Sequence, residues 1–152
     1  KRTLNFRICM THSITIQSVA LASALRLTTE AIKHAQSRNW KIAVFVVDSA
    51  GATVASARMD GVNAITGDIA LDKAYTAASL RRTTKALAER MGSSPDLTMG
   101  MANRPRLITW QGGVPIVEDG TIIGGIGVSG AAGHEDAECA ETALAALGLT
   151  SK

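Results

Sequence analysis

The chain has 152 residues, of which 46% are hydrophobic but only 3% aromatic, and its formal net charge is +3. This length suits one domain with a single core, and the composition excludes a disordered chain. The basic residues are scattered and few aromatic side chains are available to stack on bases, which argues against nucleic acid as a partner. The sequence also has no run of about 18 uncharged apolar residues that could cross a membrane.

The beginning of the chain and its cysteines bear on domain bounds and compartment. Residues 1–12 are predicted to be an N-terminal extension, with 1–9 an upstream remnant if Met10 is the natural start, and the domain itself is predicted to span 13–149. Cys9 and Cys139 lie far apart without CxxC spacing. We therefore expect free thiols in a reducing, cytoplasmic compartment.

Helical and strand patterns alternate through the first half of the chain. Apolar residues spaced near 3.6 predict an inward stripe on the first helix, formed by Leu21, Leu25, Ile32 and Ala35. The β-branched run after it is typical of a central strand that returns as a hairpin. The predicted elements are a short β-prone stretch at 13–16, a helix over 17–38, strands over 41–47 and 52–59, and a helix over 66–81.

The second half is richer in strands joined by short turns. The predicted elements are a short helical turn over 96–102, strands over 106–111, 114–117 and 121–129, and a helix over 134–147. Short turns between neighbouring strands require antiparallel pairing. The pattern therefore predicts an α/β (α+β) fold, with a five-stranded antiparallel sheet flanked by helices.

Three glycine-punctuated blocks carry a family resemblance: VVDSAGATVASARMDG at 46–61, LDKAYTAA at 71–78 and GGVPIVEDGTIIGGIGVSGAAGHEDAECA at 112–140. In order and spacing they resemble the GlcG/HbpS-like family of haem-degrading proteins, which includes the C-terminal domain of PduO-type proteins. The resemblance implies a profilin-like three-layer sandwich, a homo-oligomer between dimer and octamer, and haem binding or degradation in some members. Where family members often have Gln before the Asp of the last block, this chain has Glu135, preceded by His134.

Lys73 is the most informative polar residue. On the predicted second helix it shares a stripe with apolar residues such as Ile69 and Ala77. A lysine there either reaches the helix edge or faces a pocket, where desolvation would lower its pKa and make it a base, or where it would bind an anion. The alternative is a structural ion pair with Asp48 or Asp60.

Two further regions are candidates for binding an anionic ligand. The Arg58 guanidinium, in the turn that also holds Asp60, can clamp a carboxylate or haem propionate, or the two residues order the hairpin end. The loop at 129–133 leads into a helix whose first amides are expected to be free for an anion, or it is a tight turn without a ligand. The candidate ligand-binding residues are Arg58, Asp60, Gly113, Ser129, Gly130 and Gly133.

Histidines offer weaker candidates. His134 opens the last helix one helical turn before Glu138, so the two are candidate metal ligands, and His134 is a candidate acid/base residue beside Lys73. Capping carboxylates with a solvated imidazole are the alternative. His34 is predicted to lie on the polar side of the first helix.

Three functions remain open. The family resemblance implies a protein that binds haem or another tetrapyrrole, with or without degradation of the ring, so haem is the expected cofactor. The second hypothesis is a cofactor-independent isomerase, hydratase or lyase that acts on a small anionic metabolite of a catabolic pathway, with Lys73 and His134 as catalytic residues. The third is a purely structural or regulatory oligomer. No Ser-His-Asp set has a recognisable local context, which disfavours covalent hydrolysis.

Overall fold

The computed structural model describes residues 12–152. The predicted N-terminal extension, with Met10 and Cys9, lies almost wholly outside these residues. The elements in chain order are α1 (Leu21–Ser37), β1 (Ala43–Asp48), β2 (Thr53–Arg58), α2 (Ala64–Leu80), α3 (Thr84–Gly92), α4 (Pro95–Met101), β3 (Gly113–Glu118), β4 (Thr121–Ser129) and α5 (Gly133–Ala146). All but α3 have a predicted counterpart whose bounds differ by a few residues.

The sheet has the strand order β2-β1-β4-β3, and every neighbouring pair is antiparallel. Central β1 pairs with both β2 and β4, so that Val44 lies opposite Ala57 on one side and Val128 on the other. The C-terminal segment covers part of the β3 edge through a bridge between Val117 and Thr150. An α/β fold with helices flanking an antiparallel sheet is therefore confirmed.

The prediction of five strands is wrong, because the described sheet has four. The segment 106–111 was the predicted fifth strand, and it contains no strand. Its carbonyl oxygen at Arg106 and its N–H at Ile108 instead bond to the hydroxyl of Thr76 on α2. Backbone groups that a strand neighbour would have satisfied are satisfied by a helix side chain.

Helices cover both faces of the sheet. α1 and α5 pack against each other on one face, and α2 covers the other. Because side chains alternate along a strand, Val44 and Val46 of β1 face the α1–α5 side, whereas Ala43 and Val47 face α2. The layers are thus two helices, one sheet and one helix.

The inward stripe predicted for α1 is only partly confirmed. Leu21 and Leu25 are 58% and 53% exposed, and the fully buried face instead carries Ala24, Leu27 and Ala31. Hydrophobicity alone predicts that Leu21 and Leu25 face inward, but the smaller side chains of the other face allow a closer approach of α1 to α5 and to the sheet. Of the predicted stripe, Ala35 is fully buried and Ile32 packs, partly buried, against the core.

α2 lies directly on the backbone of β4 because glycines occupy the contact. A Cβ on Gly127 would overlap the carbonyl oxygen of Ala70 and the N–H of Ala74, and one on Gly125 would come within 2.5 Å of the Ala74 oxygen. On the neighbouring β3, a Cβ on Gly113 would likewise overlap the carbonyl oxygen of Lys73. This contact fixes the height and rotation of α2, and with them the position of Lys73.

The segment between α2 and β3 is packed more loosely. Thr83 caps α3 by accepting a hydrogen bond from the Ala86 N–H at 3.1 Å, and α4 has no buried residue. No helix of the described chain is long and apolar enough to span a bilayer. Cys139 is a free, buried thiol on α5, and burial raises its pKa to about 12.

Candidate functional site

A buried ion pair joins α2 to α5 beside the end of β4. Lys73 and Asp136 are each only 2% exposed, and Lys73 Nζ donates to Asp136 Oδ2 at 2.8 Å. Nζ also donates to the carbonyl oxygen of Val128 at 2.9 Å, while Asp136 Oδ1 accepts from the N–H of Ala131 at 3.0 Å. The pair therefore fastens together α2, the end of β4 and the loop that leads into α5.

The structure corrects the partner expected for Lys73. An ion pair was one predicted alternative, but it forms with Asp136 and not with Asp48 or Asp60. Asp48 instead stabilises its own turn, where Oδ1 accepts from the N–H groups of Ala50 and Ala52, each at 2.9 Å.

Backbone rather than a side chain covers one side of the Lys73 amine. Gly112 has a positive φ of 117°, and a Cβ there would lie 2.7 Å from Asp136 Cβ and 3.0 Å from Lys73 Nζ. Any larger residue at this position would therefore push against the ion pair.

Burial shifts the pKa values of both partners toward their neutral forms. It lowers the pKa of the Lys73 amine, and the charge and hydrogen bond of Asp136 oppose that shift. It also raises the pKa of the Asp136 carboxyl, against the opposing effect of Lys73 and of the Ala131 N–H. Since the two pKa values approach each other, moving a proton from the amine to the carboxylate costs less free energy here than between the same groups in water.

A cleft of about 640 Å³ opens over this ion pair. Its volume falls within the roughly 300–1,000 Å³ typical of small-molecule sites. α2, α3, the segment before β3 and the loop before α5 form its walls. The lining residues are Thr66, Lys73, Lys85, Ala88, Glu89, Thr109, Trp110, Gln111, Ser129, Gly130, Ala131, Gly133 and Asp136.

The cleft brings together four of the candidate residues and leaves out the rest. Lys73, Ser129, Gly130 and Gly133 line it. Gly113 lies beneath it, against the backbone of Lys73, so its contribution is to helix packing. The other candidates, which do not line the cleft either, are Arg58, Asp60, His134 and Glu138.

The expectation of free amides at the start of α5 is wrong at two positions. The N–H of Ala131 donates to Asp136 Oδ1, and the N–H of Ala132 donates to Glu135 Oε2 at 2.8 Å. Carboxylates of the helix itself thus occupy the place predicted for an anionic ligand. This corner is therefore better explained as a capped turn than as an anion site.

Arg58 closes its own turn instead of reaching the cleft. Its guanidinium donates to the carbonyl oxygen of Val62, which is the hairpin-ordering alternative considered for this residue. Asp60 is exposed in the same turn.

The metal hypothesis for His134 and Glu138 finds no support in the structure. Glu138 Oε1 bonds to His34 Nε2 at 2.9 Å and accepts from Arg38 Nη2 at 2.7 Å, which ties α5 to α1. His134 is exposed, and residues 12–152 contain no group of three His, Cys, Asp or Glu residues placed to hold a metal ion. His34 is correspondingly half-buried rather than fully exposed.

Several residues of the cleft are not predicted from the sequence. Asp136 is covered there only by the capping carboxylates of the last helix, although its ion-pair partner is Lys73, the lysine singled out from the sequence. Lys85, on the unpredicted α3, and Trp110, which is 62% exposed, were not considered. Because the chain has so few aromatic residues, an indole just before a Gly-Gly turn is the sequence feature that could have identified Trp110 as a candidate.

A set of side chains on α2 holds the irregular segment that carries Trp110. The Thr76 hydroxyl donates to the Arg106 carbonyl at 3.0 Å and accepts from the Ile108 N–H at 3.1 Å. The Arg106 guanidinium lies 3.9 Å from the ring centre of Tyr75, and its Nε is 3.4 Å from Asp72 Oδ1. α2 thus positions one wall of the cleft as well as its floor.

We expect Thr76→Val to loosen this wall. The substitution keeps the side-chain shape but removes two partly buried hydrogen bonds to the backbone, which should together cost about 1–3 kcal/mol of unfolding free energy. In a Trp40→Phe background, Trp110 fluorescence should become more accessible to acrylamide. Thr76→Ser, which keeps the hydroxyl, is the control, and wild-type quenching in the valine variant would contradict the role assigned to Thr76.

The fold and cleft define a three-layer α/β domain with a small-molecule-sized site beside the end of its sheet. The chain belongs to the family described as haem-degrading protein HbpS-like, whose family model matches residues 19–145. It is 39% identical over 114 residues to the protein GlcG of Escherichia coli K12. The aligned residues cover 75% of this chain and 81% of GlcG.

Two solved structures resemble the chain closely. The Klebsiella pneumoniae protein ORFY has a TM-score of 0.86 at 30% identity, covering 91% of this chain and 97% of that one. A structure described as a PduOC:heme complex has a TM-score of 0.81 at 27% identity, covering 88% of this chain and 98% of that one. A relative of the same fold has therefore been crystallised with haem.

Proposed function

We propose that the cleft beside Lys73 and Asp136 binds haem or a related tetrapyrrole. Membership of the HbpS-like family and the haem complex of a relative support this function. The observation in this chain that carries it is the pairing of an exposed indole, Trp110, with the amine of Lys85 in one cleft. An indole offers a flat surface for a porphyrin ring, and an amine offers a partner for its propionates.

The surroundings of Trp110 suit an amphiphilic ring. A second cavity of about 320 Å³ shares Thr109 and Trp110 with the cleft, and it is otherwise lined mainly by apolar residues such as Leu87, Met91 and Met101. The apolar edge of a tetrapyrrole would lie on this side of the indole. Its propionates would lie toward Lys85 and the hydroxyl of Ser129.

The cleft fits the ring and its carboxylates better than the iron. Among its lining residues, which all belong to the described part of the chain, there is no His, Cys, Met or Tyr, the usual protein ligands of haem iron. Bound haem would supply redox-active iron, and degradation of the ring would depend on that metal. The chain's own residues would bind and orient the ring through stacking and charge pairing.

A titration of the purified protein with haemin and with iron-free protoporphyrin tests this proposal. Both ligands should bind saturably, quench Trp110 fluorescence, and have dissociation constants within about tenfold of each other, because the iron adds little. Trp110→Ala should weaken binding by at least about tenfold, and Lys85→Ala by up to about fivefold.

Trp40→Phe is the matched control, since this second tryptophan lies beside His34, is not a lining residue, and should leave affinity unchanged. A featureless Soret region without saturation would overturn the proposal, and so would equal losses in the Trp40 and Trp110 variants. We also propose that the chain forms a homo-oligomer, as the family resemblance implies, which light scattering of the purified protein checks.

A further inference from the structure

The proposed tetrapyrrole binding through Trp110 and Lys85 assigns no role to the Lys73 amine, which is the most unusual group of the cleft. Lys73 is the one buried lysine among residues 12–152, and lysine is almost never fully buried without a partner. A pair of this kind is weak evidence for stability, because well-packed apolar residues of similar volume often serve as well. A buried amine that also lines a ligand-sized cleft is the pattern expected of a reactive group.

The geometry around Nζ matches the needs of an amine nucleophile. Asp136 Oδ2, at 2.8 Å, is placed to take the proton of the ammonium group, and Val128 O, at 2.9 Å, holds the nitrogen in place. A nucleophile with an adjacent base, itself oriented by a third group, is the recurring arrangement of covalent catalysis. Here the N–H of Ala131 orients the Asp136 carboxylate.

We propose that Lys73 forms an imine with the carbonyl group of a small aldehyde or ketone that enters the cleft. This reaction is separate from tetrapyrrole binding and does not depend on it. The Lys85 amine in the same cleft favours carbonyl compounds that also carry a carboxylate, such as 2-oxo acids.

The reaction balances without an outside reagent. A proton passes from the Lys73 ammonium to Asp136, the free amine adds to the carbonyl carbon, and Asp136 returns the proton to the carbonyl oxygen to give a carbinolamine. The nitrogen then gives up a second proton through Asp136 to the hydroxyl group, which leaves as water. The ammonium and the carbonyl compound become a protonated imine and water, and Asp136 remains a carboxylate paired with the new cation.

Burial assists the first step. It lowers the pKa of Lys73 and raises that of Asp136, so the neutral amine is reached more readily than in an exposed lysine. The low exposure of Lys73 also limits reaction to compounds small enough to enter the cleft.

Reductive trapping tests the proposal on the full-length protein without haem. The protein is incubated near pH 7 with pyruvate and cyanoborohydride, and peptide mass spectrometry measures adduct formation at each lysine. Lys73 should react at least about tenfold faster than Lys85, which lines the same cleft but is exposed. Acetone, a ketone in which a methyl group replaces the carboxylate of pyruvate, shows whether the carboxylate contributes: both ketones should label Lys73, and pyruvate should label it faster.

Two variants separate a reactive amine from general lysine labelling. Lys73→Arg keeps the positive charge and should remove the fast adduct, while the labelling of Lys85 stays the same. Asp136→Glu keeps a carboxylate and should retain more adduct at Lys73 than Asp136→Asn does. Labelling of Lys73 no faster than that of Lys85 in the wild-type protein would overturn the proposal, whatever the haem titration gives.

Discussion

Asp136→Ala is expected to lower the free energy of unfolding by about 3–5 kcal/mol. The substitution leaves the Lys73 ammonium buried without its counter-ion, and it also removes the acceptor of the Ala131 N–H. Since domains are typically stable by about 5–15 kcal/mol, such a loss would bring the protein near its stability threshold. Urea unfolding followed by circular dichroism measures it.

A compensating variant distinguishes an unpaired charge from a simple loss of packing. Combining Asp136→Ala with Lys73→Met removes the stranded ammonium, so the double variant should recover a large part of the lost stability. Glu138→Ala is the control on the same helix, and it should cost much less because its ion pairs are partly exposed. A double variant no more stable than Asp136→Ala would show that the charge is not the cause.

Gly127→Val is the second substitution with a large expected effect. Its side chain would meet the backbone of Ala70 and Ala74 on α2, and backbone cannot move aside as a flexible side chain can. The loss of unfolding free energy should therefore exceed the about 1–3 kcal/mol usual for an overpacked core. Thermal and urea unfolding both measure it, and displacement of α2 should also weaken ligand binding in the cleft.

Gly92→Ala is the matched control for this prediction. Gly92 ends α3, has no positive φ, and has open space where a Cβ would be added. Alanine there should leave stability unchanged or raise it by up to about 1 kcal/mol. If Gly127→Val behaved like Gly92→Ala, the direct contact between α2 and β4 would not be a determinant of the fold.

The order of elements could be predicted because their signals are local. A β-branched run and tight turns mark β1 to β4, and helical periodicity marks α1, α2 and α5. Strand propensity predicts a strand at 106–111, but it does not reveal that Thr76 on a distant helix satisfies the backbone of this segment. The buried stripe of α1 was predictable only in part, because periodicity identifies apolar faces but not which of them has the shape to pack.

The site was predictable only in part for the same reason. A lysine among apolar neighbours on α2 pointed to a pocket or an ion pair, and Lys73 has both. Its partner is 63 positions away in the chain, so no local spacing identifies Asp136. The glycine loop lines the cleft, but the sequence does not show that its amides are bonded, because side-chain capping by Glu135 and Asp136 is a property of the folded turn.

Because α2 packs directly on the backbone of β4, the two sides of the cleft differ in how freely they can change. The floor at Lys73 cannot shift without a backbone collision, whereas Lys85, Glu89 and Trp110 on the opposite wall are exposed side chains. Changes of ligand preference should therefore be tolerated best at the exposed positions between residues 85 and 111, where substitutions alter the shape of the opening without disturbing the buried frame. A library of variants confined to that stretch would be a suitable starting point for redirecting the protein toward new ligands.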